Sequence, residues 1–136
     1  MSGTLVRTAE RSSLPDLMGH ARAECARAGV GGEDEYAVRL AVEEVVMNLV
    51  EHGYAGRAPG PISLTVDAGP ERVVVTVEDR APPFDPSRAP QPDLEPSCED
   101  RKIGGLGWHL VHHLMDEVRY ESVDGVNRLT LVKRRR

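Results

Sequence analysis

Residues 43–54 read EEVVMNLVEHGY, and this stretch combines a helical hydrophobic pattern with a polar stripe. Glu44, Asn48 and His52 are each four residues apart, so they lie along one side of a helix whose other sides carry valine and leucine. Because apolar residues continue upstream and a glycine follows, the pattern predicts a helix over residues 33–52. The stripe is either a solvated face or a functional site, and spacing alone does not decide between them.

The sequence before this helix predicts a short edge strand and one further helix. Residues 4–8 fit the strand, and Ser12 or Ser13 can cap a helix that continues through Ala28. Apolar residues recur there at helical spacing, which gives this helix one buried face.

The sequence after the central helix predicts an antiparallel hairpin and a third helix. The strand patterns ISLTVDA at residues 62–68 and RVVVTVED at residues 72–79 are separated by Gly69 and Pro70. The segment GGLGWHLVHHLMDEV at residues 104–118 predicts a glycine-rich turn that leads into a helix.

Two strands, one around Tyr120 and one over residues 126–132, complete the pattern. Helices on one face of a mainly antiparallel sheet form a two-layer α/β sandwich, and we expect one domain over residues 1–136. The basic residues 133–136 are expected to form a frayed, solvated terminus.

Composition argues against several classes of function. A chain with 40% hydrophobic and 29% charged residues is ordinary for a globular domain, and a net charge of −5 speaks against direct binding of nucleic acid. The first twenty residues hold no long apolar stretch, so we expect neither a signal peptide nor a membrane span. Cys25 and Cys98 show no metal-site spacing, which favours a reducing cytoplasm.

Two further groups could carry chemistry. Asp79 ends the second hairpin strand in EDRAPPFDP, residues 78–86, where its carboxylate can accept a hydrogen bond from an amino group such as that of adenine. An ordinary aspartate in a turn is the alternative. Backbone amides of GGLG, residues 104–107, would attract phosphate at the start of a helix, although such a turn is a weak signal alone.

In this order, the three groups resemble the N, G1 and G2 boxes of the histidine-kinase-like ATPases, which have the Bergerat ATP-binding fold. Within that superfamily the boxes, together with GVNRLTLVK at residues 125–133, are most similar to the anti-sigma factor serine kinases of bacterial partner switching. The resemblance covers roughly residues 10–133, and the combination is far more specific than any single box.

The resemblance implies a role for several side chains. Asn48 matches the asparagine whose oxygen binds Mg²⁺, and Glu44 matches the general base for transfer of phosphate to a serine. Asp79 matches the aspartate that binds the adenine amino group, and Thr130 resembles a late-strand threonine near the adenine.

The resemblance also implies how the phosphates of ATP are bound. The glycine-rich segment supplies the residues that the backbone brings close to the phosphates, namely Gly105, Leu106 and Gly107. The proline-rich loop over about residues 87–103 corresponds to a flexible ATP lid. Either Arg101 or Lys102 could reach the terminal phosphate from this lid.

The implied function is that of a protein serine kinase that phosphorylates a STAS-domain antagonist and sequesters a sigma factor or a similar target. Whether the chain forms a homodimer stays open. The sequence departs from the family at Ala81, which contributes to the adenine pocket where the G1 box usually has glycine. This departure supports the alternative of a partner-binding module with weak or no kinase activity, whereas Glu44 and Asn48 argue against that alternative. A gyrase- or chaperone-type ATPase would need a second domain.

Overall fold

The structure is a computed structural model, and it describes residues 2–83 and 104–136. It contains five strands and three α-helices in the described residues, besides a short 3₁₀ turn at Arg11–Ser13 and a π-type turn at Leu49–Gly53. In chain order they are β1 Ser2–Thr8, α1 Leu14–Arg27, α2 Gly32–Asn48, β2 Pro61–Ala68, β3 Arg72–Asp79, α3 Gly104–Leu114, β4 Glu117–Val123 and β5 Val126–Arg134.

The strands form one sheet in the order β1-β2-β3-β5-β4, and every pair of neighbours is antiparallel. Side chains alternate between the two faces, so residues that pair across the sheet share a face. One row on the core face crosses all five strands, and it consists of Leu5, Leu64, Val77, Leu129 and Tyr120. The next row, on the opposite face, consists of Thr4, Thr65, Thr76, Thr130 and Arg119.

The three helices cover the core face of the sheet and supply the rest of one hydrophobic cluster. Their contributions include Leu17, Ala21 and Cys25 from α1, Val38, Val42 and Val46 from α2, and Trp108 and Val111 from α3. The predicted two-layer α/β sandwich is therefore confirmed. None of the helices in the described part of the chain is both long and apolar enough to cross a membrane.

The central helix ends earlier than the sequence pattern predicts. The α-helix stops at Asn48, and Leu49–Gly53 form a wider π-type turn in which the amide of Tyr54 donates to the carbonyl oxygen of Leu49 at 3.3 Å. The Tyr54 hydroxyl donates to the carbonyl oxygen of Pro61 at 2.9 Å. This anchor fixes the chain that leaves the helix, and hydrophobic spacing contains no information about it.

The start of α3 also differs from the prediction. The sequence predicts a glycine-rich turn before the helix, whereas α3 already begins at Gly104. Glycine can itself adopt helical geometry. The helical spacing of apolar residues in the rest of α3 also continues back through these first residues. The amides of this first turn still lack partners within the helix.

The basic end of the chain is not frayed. The side chain of Lys133 is only 8% exposed, and its Nζ lies 3.9 Å from Oδ1 of Asp34 and 3.7 Å from Oδ2 of Asp116. Oδ2 of Asp116 also accepts a hydrogen bond from the amide of Arg134, which lowers the pKa of Asp116. The prediction of a solvated terminus is wrong because these acidic partners are distant in sequence and meet β5 only in the folded chain.

Arg135 adds a second anchor at this end. Its guanidinium donates to the carbonyl oxygens of Ala28, Gly29 and Gly69 at 3.3, 3.0 and 2.9 Å. The end of α1 and the turn between β2 and β3 are thereby tied to the end of β5. Carbonyl groups at a helix end have no partners within the helix, so a cation is favourable there.

We predict that Arg135→Ala lowers the free energy of unfolding by about 1–2 kcal/mol, because three carbonyl oxygens lose a charged donor. Arg134→Ala is the matched control, since this neighbouring residue is exposed and the substitution keeps the amide that binds Asp116. Its effect should stay within about 0.5 kcal/mol. Urea unfolding of both variants measures the difference, and equal stabilities would support the frayed terminus instead.

Candidate functional site

The carboxyl-terminal ends of α2 and β3 meet through the turn that follows each of them. A Cβ atom placed on Gly53 would lie 3.6 Å from the Cβ of Ala81. The hydroxyl of Tyr54 accepts a hydrogen bond from the amide of Arg80 at 2.8 Å while it donates to Pro61. The fold thus brings the end of α2, the helix that carries Glu44 and Asn48, beside the turn after β3.

Asp79 is the charged group at this junction. The residue is 8% exposed, and Oδ1 of its carboxylate accepts hydrogen bonds from the amide of Ala81 at 2.9 Å and from Nδ2 of Asn127 at 2.8 Å. Burial raises the pKa of Asp79, and these two hydrogen bonds oppose the rise. Both bonds from described residues end on Oδ1, so Oδ2 is the oxygen through which the carboxylate can accept a bond from a ligand.

Asn127 is a site residue that the sequence analysis missed. It pairs with Asp79 across β3 and β5 and is 4% exposed. Its Nδ2 also donates to the carbonyl oxygen of Ala81 at 2.8 Å, and its Oδ1 accepts from the hydroxyl of Tyr120 at 3.1 Å. The sequence held one indication of this role. Asn127 lies two residues before buried Leu129 and therefore on the same face of the strand, and a polar residue on the core face needs a hydrogen-bond partner.

Thr130 does not reach the site. It pairs with Thr76 and lies on the sheet face opposite to Asp79 and Asn127. Thr130 and Asn127 are three residues apart on one strand, and an odd separation reverses the face, so the sheet does not bring Thr130 together with Asp79.

Ala81 fits the turn after β3 without glycine. Among the described residues, the only residue other than glycine with a positive φ is Asp124, so the backbone at Ala81 is one that alanine adopts readily. Ala81 is 5% exposed, with its methyl group near Gly53. The departure from the family pattern therefore causes no backbone strain here.

Glu44 and Asn48 lie in the last two turns of α2, and both are partly buried. Partial burial raises the pKa of Glu44, and the neighbouring carboxylates of Glu43 and Glu51 raise it further. A carboxylate with a raised pKa is a stronger proton acceptor, as a general base requires. His52 is half exposed, and its Nε2 lies 3.9 Å from a carboxylate oxygen of Glu51, so it stays outside the candidate site.

The structure describes only some of the residues that are predicted to bind phosphate. Gly105, Leu106 and Gly107 lie in the first turns of α3, where free amides and the helix dipole favour an anion. The predicted lid over residues 87–103, including Arg101 and Lys102, lies outside the described residues.

The residues present fit a nucleotide and its metal ion. The buried carboxylate of Asp79 suits a ligand that donates from an amino group, because a buried acceptor gains most from such a partner. Mg²⁺ bound with phosphates takes few protein ligands, so the amide oxygen of Asn48 is a sufficient side chain for it.

Two curated serine kinases are similar to this chain. The serine/threonine-protein kinase BtrW of Bordetella bronchiseptica is 32% identical over 96 residues, which is 71% of this chain and 68% of that protein. The serine-protein kinase RsbW of Bacillus velezensis is 33% identical over 105 residues, which is 74% of this chain and 65% of that protein. The chain thus matches 68% and 65% of the length of these two relatives.

A solved structure shows the same fold. The crystal structure of the RsbU and RsbW domains of Rv1364c from Mycobacterium tuberculosis matches with a TM-score of 0.70 and 23% identity, over 99% of this chain and 32% of that one. The family model of the histidine kinase-like ATPase domain matches residues 8–133. The chain therefore belongs to the histidine kinase-like ATPase domain family, in the group that contains the serine kinases RsbW and BtrW.

Proposed function

We propose that this chain is a single histidine kinase-like ATPase domain that transfers phosphate from ATP to a serine of a partner protein. The observation that carries the proposal is the buried carboxylate of Asp79, whose Oδ1 is held by two donors at the junction of α2 and β3. The names of BtrW and RsbW support the same activity.

Each proposed role comes from the family resemblance, and the positions of the described residues are compatible with it. Oδ2 of Asp79 accepts a hydrogen bond from the amino group of adenine, and the first amides of α3 donate to the phosphates. The oxygen of Asn48 holds Mg²⁺, which neutralises phosphate charge when it is bound. Glu44, one turn away on the same side of α2, accepts the proton of the serine hydroxyl. The resemblance also gives contact with the terminal phosphate to Arg101 or Lys102, which lie outside the described residues.

The proposed partners are a STAS-domain antagonist, as the substrate, and a sigma factor or similar target, which the kinase sequesters until its antagonist is dephosphorylated. Homodimer formation belongs to the same open part of the proposal. The chain carries a net charge of −5, which favours protein partners over direct contact with nucleic acid. We also propose a cytoplasmic location, on the composition argument given above.

The second candidate is a partner-binding module of the same fold with weak or no kinase activity. Ala81 supported this alternative, and the unstrained turn that it occupies weakens that support. Incubation with Mg²⁺, ATP and each STAS-domain protein encoded beside this gene, followed by mass spectrometry, tests the kinase proposal. A single phosphoserine on one of these proteins is the expected result, and binding of that protein without phosphate transfer would favour the module.

We predict that Asn48→Ala and Glu44→Gln separate binding from transfer. Asn48→Ala should weaken the affinity for ATP with Mg²⁺ at least about tenfold, because the triphosphate loses a ligand of its neutralising ion. Glu44→Gln should leave that affinity within about twofold and lower the transfer rate about 100-fold or more. Calorimetry and phosphate transfer measure the two effects.

Glu33→Gln is the matched control for Glu44→Gln, since it removes an exposed carboxylate from the first turn of the same helix. Glu33→Gln should keep the transfer rate within about twofold of that of the unmodified protein. A Glu44→Gln variant that transfers phosphate at the normal rate would show that Glu44 is not the base.

We predict that Asp79→Asn stabilises the protein and weakens its binding of ATP. Burial raises the folded-state pKa of Asp79, so the favourable contribution of the protonated form is present below the unfolded-state pKa and is lost as pH rises through the folded-state value. At pH 7 the variant should therefore unfold about 2–5 °C higher, and the difference should shrink towards pH 4.

Affinity of Asp79→Asn for ATP should fall at least about tenfold, because an amide cannot offer two acceptor oxygens. Asp124→Asn, at an exposed turn position, is the control and should change neither property. A lower melting temperature for Asp79→Asn at pH 7 would contradict the assignment of a destabilising buried carboxylate.

A further inference from the structure

We propose that Asn127, held by Tyr120, is the positioning residue of the adenine-binding carboxylate and fixes which oxygen of Asp79 faces the ligand. The inference deepens the proposed function and rests on it. It starts from three hydrogen bonds that meet on one buried side chain.

The amide of Asn127 can take only one orientation in this setting. A primary amide offers two N–H donors on one side and one carbonyl acceptor on the other. Nδ2 faces two acceptors, Oδ1 of Asp79 and the carbonyl oxygen of Ala81, while Oδ1 faces the hydroxyl of Tyr120. A flipped amide would place its oxygen against a carboxylate and a carbonyl group and leave its donors opposite the tyrosine. Asp79 and Ala81 offer only acceptors and therefore fix the orientation, while the hydroxyl of Tyr120 supplies the donor for the amide oxygen.

This orientation determines how the carboxylate is used. With Oδ1 of Asp79 occupied by Asn127 and by the amide of Ala81, Oδ2 is the acceptor directed at a base with an amino group. The same amide holds the carbonyl oxygen of Ala81, so both backbone polar groups of that residue are held before a ligand arrives. A preformed turn lowers the ordering cost of binding. The turn at Ala81 does not depend on a glycine conformation, and the hydrogen bond from Asn127 holds its backbone instead.

The environment of Asp79 makes the proposal testable through pH. Among the described residues, Tyr54 after α2 interacts electrostatically with Asp79, while Arg80 after β3 contacts Tyr54 and Tyr120 on β4 contacts Asn127. None of Tyr54, Arg80 and Tyr120 carries a carboxyl group or an imidazole. A second carboxyl group introduced at position 127 would therefore create a coupled acid pair of a kind that the described part of this pocket otherwise lacks.

The test is the affinity for ADP, which carries adenine without a transferable terminal phosphate, in Asn127→Asp and in the unmodified protein from pH 8 to pH 5.5. At pH 8 two carboxylates face each other, and the variant should bind about 30-fold more weakly or worse. Near pH 5.5 the pair shares a proton, which restores a donor to Oδ1 of Asp79, and the ratio of the two affinities should narrow to about fivefold. Because both proteins bind the same ADP, the effect of its own titration cancels in this ratio.

Asn127→Leu supplies the comparison for a merely structural role, because it loses the donor at every pH. Its affinity ratio should be the same at pH 8 and at pH 5.5. An Asn127→Asp ratio that is equally flat, or an affinity equal to that of the unmodified protein, would overturn the proposal. If the unmodified protein binds no ADP at all, the proposed nucleotide site fails and this inference fails with it.

Tyr120→Phe tests the same proposal through a milder change that should fold even if the substitutions at Asn127 do not. It keeps the ring and removes the hydroxyl that donates to the amide oxygen of Asn127, so the affinity for ADP should fall about three- to tenfold. Thr76→Val, on the opposite face of β3, is the control and should leave the affinity unchanged. An unchanged affinity in Tyr120→Phe would refute the role of Tyr120 in holding Asn127.

Discussion

The alternation of side chains along β5 organises the whole molecule. Its core-face positions run from Asn127 through Leu129 and Leu131 to Lys133, so this strand is polar at both buried ends and apolar between them. The apolar middle packs under the helices, and each polar end has partners brought from elsewhere in the chain. Because every second residue of β5 faces the core, this face of the strand contributes to the hydrophobic core in its middle and to a polar cluster at each end.

The two clusters differ in the groups that pair with their buried charges. At the Lys133 end, the partners of the buried ammonium group are carboxylates of the protein itself, and the cluster ties elements together. At the Asn127 end, the protein donates to one oxygen of a buried carboxylate, and burial raises the pKa of that carboxyl group. Carboxyl groups whose pKa is raised by burial are frequent at functional sites. The proposed site lies at this end of β5.

The sequence was sufficient to predict features that depend on local patterns. The stripe of Glu44 and Asn48, the hairpin ending at Asp79 and the two-layer fold all follow from periods of 3.6 and 2 residues together with the family resemblance. The face of Thr130 could also have been worked out, because its separation from buried neighbours fixes its parity.

Other features could not be derived in this way because they depend on partners distant in sequence. The π-type turn after Asn48 reflects the anchoring of Tyr54 on Pro61, and the ordered basic end reflects carbonyl groups about a hundred residues upstream of Arg135. The link between Asn127 and Asp79 spans 48 positions. No local period reports such contacts, since they exist only after the sheet has formed its register.

The strand order has a consequence for how the domain is made. β5 follows every other element in sequence, yet it lies inside the sheet between β3 and β4. During synthesis, β1, β2 and β3 can form a meander early, but β3 keeps an unpaired edge until β5 emerges. The carboxylate of Asp79 acquires its amide partner at the same moment. Assembly of the proposed nucleotide pocket is thus a late event governed by long-range contacts, which are slow to form and leave a strand edge open to misassociation meanwhile.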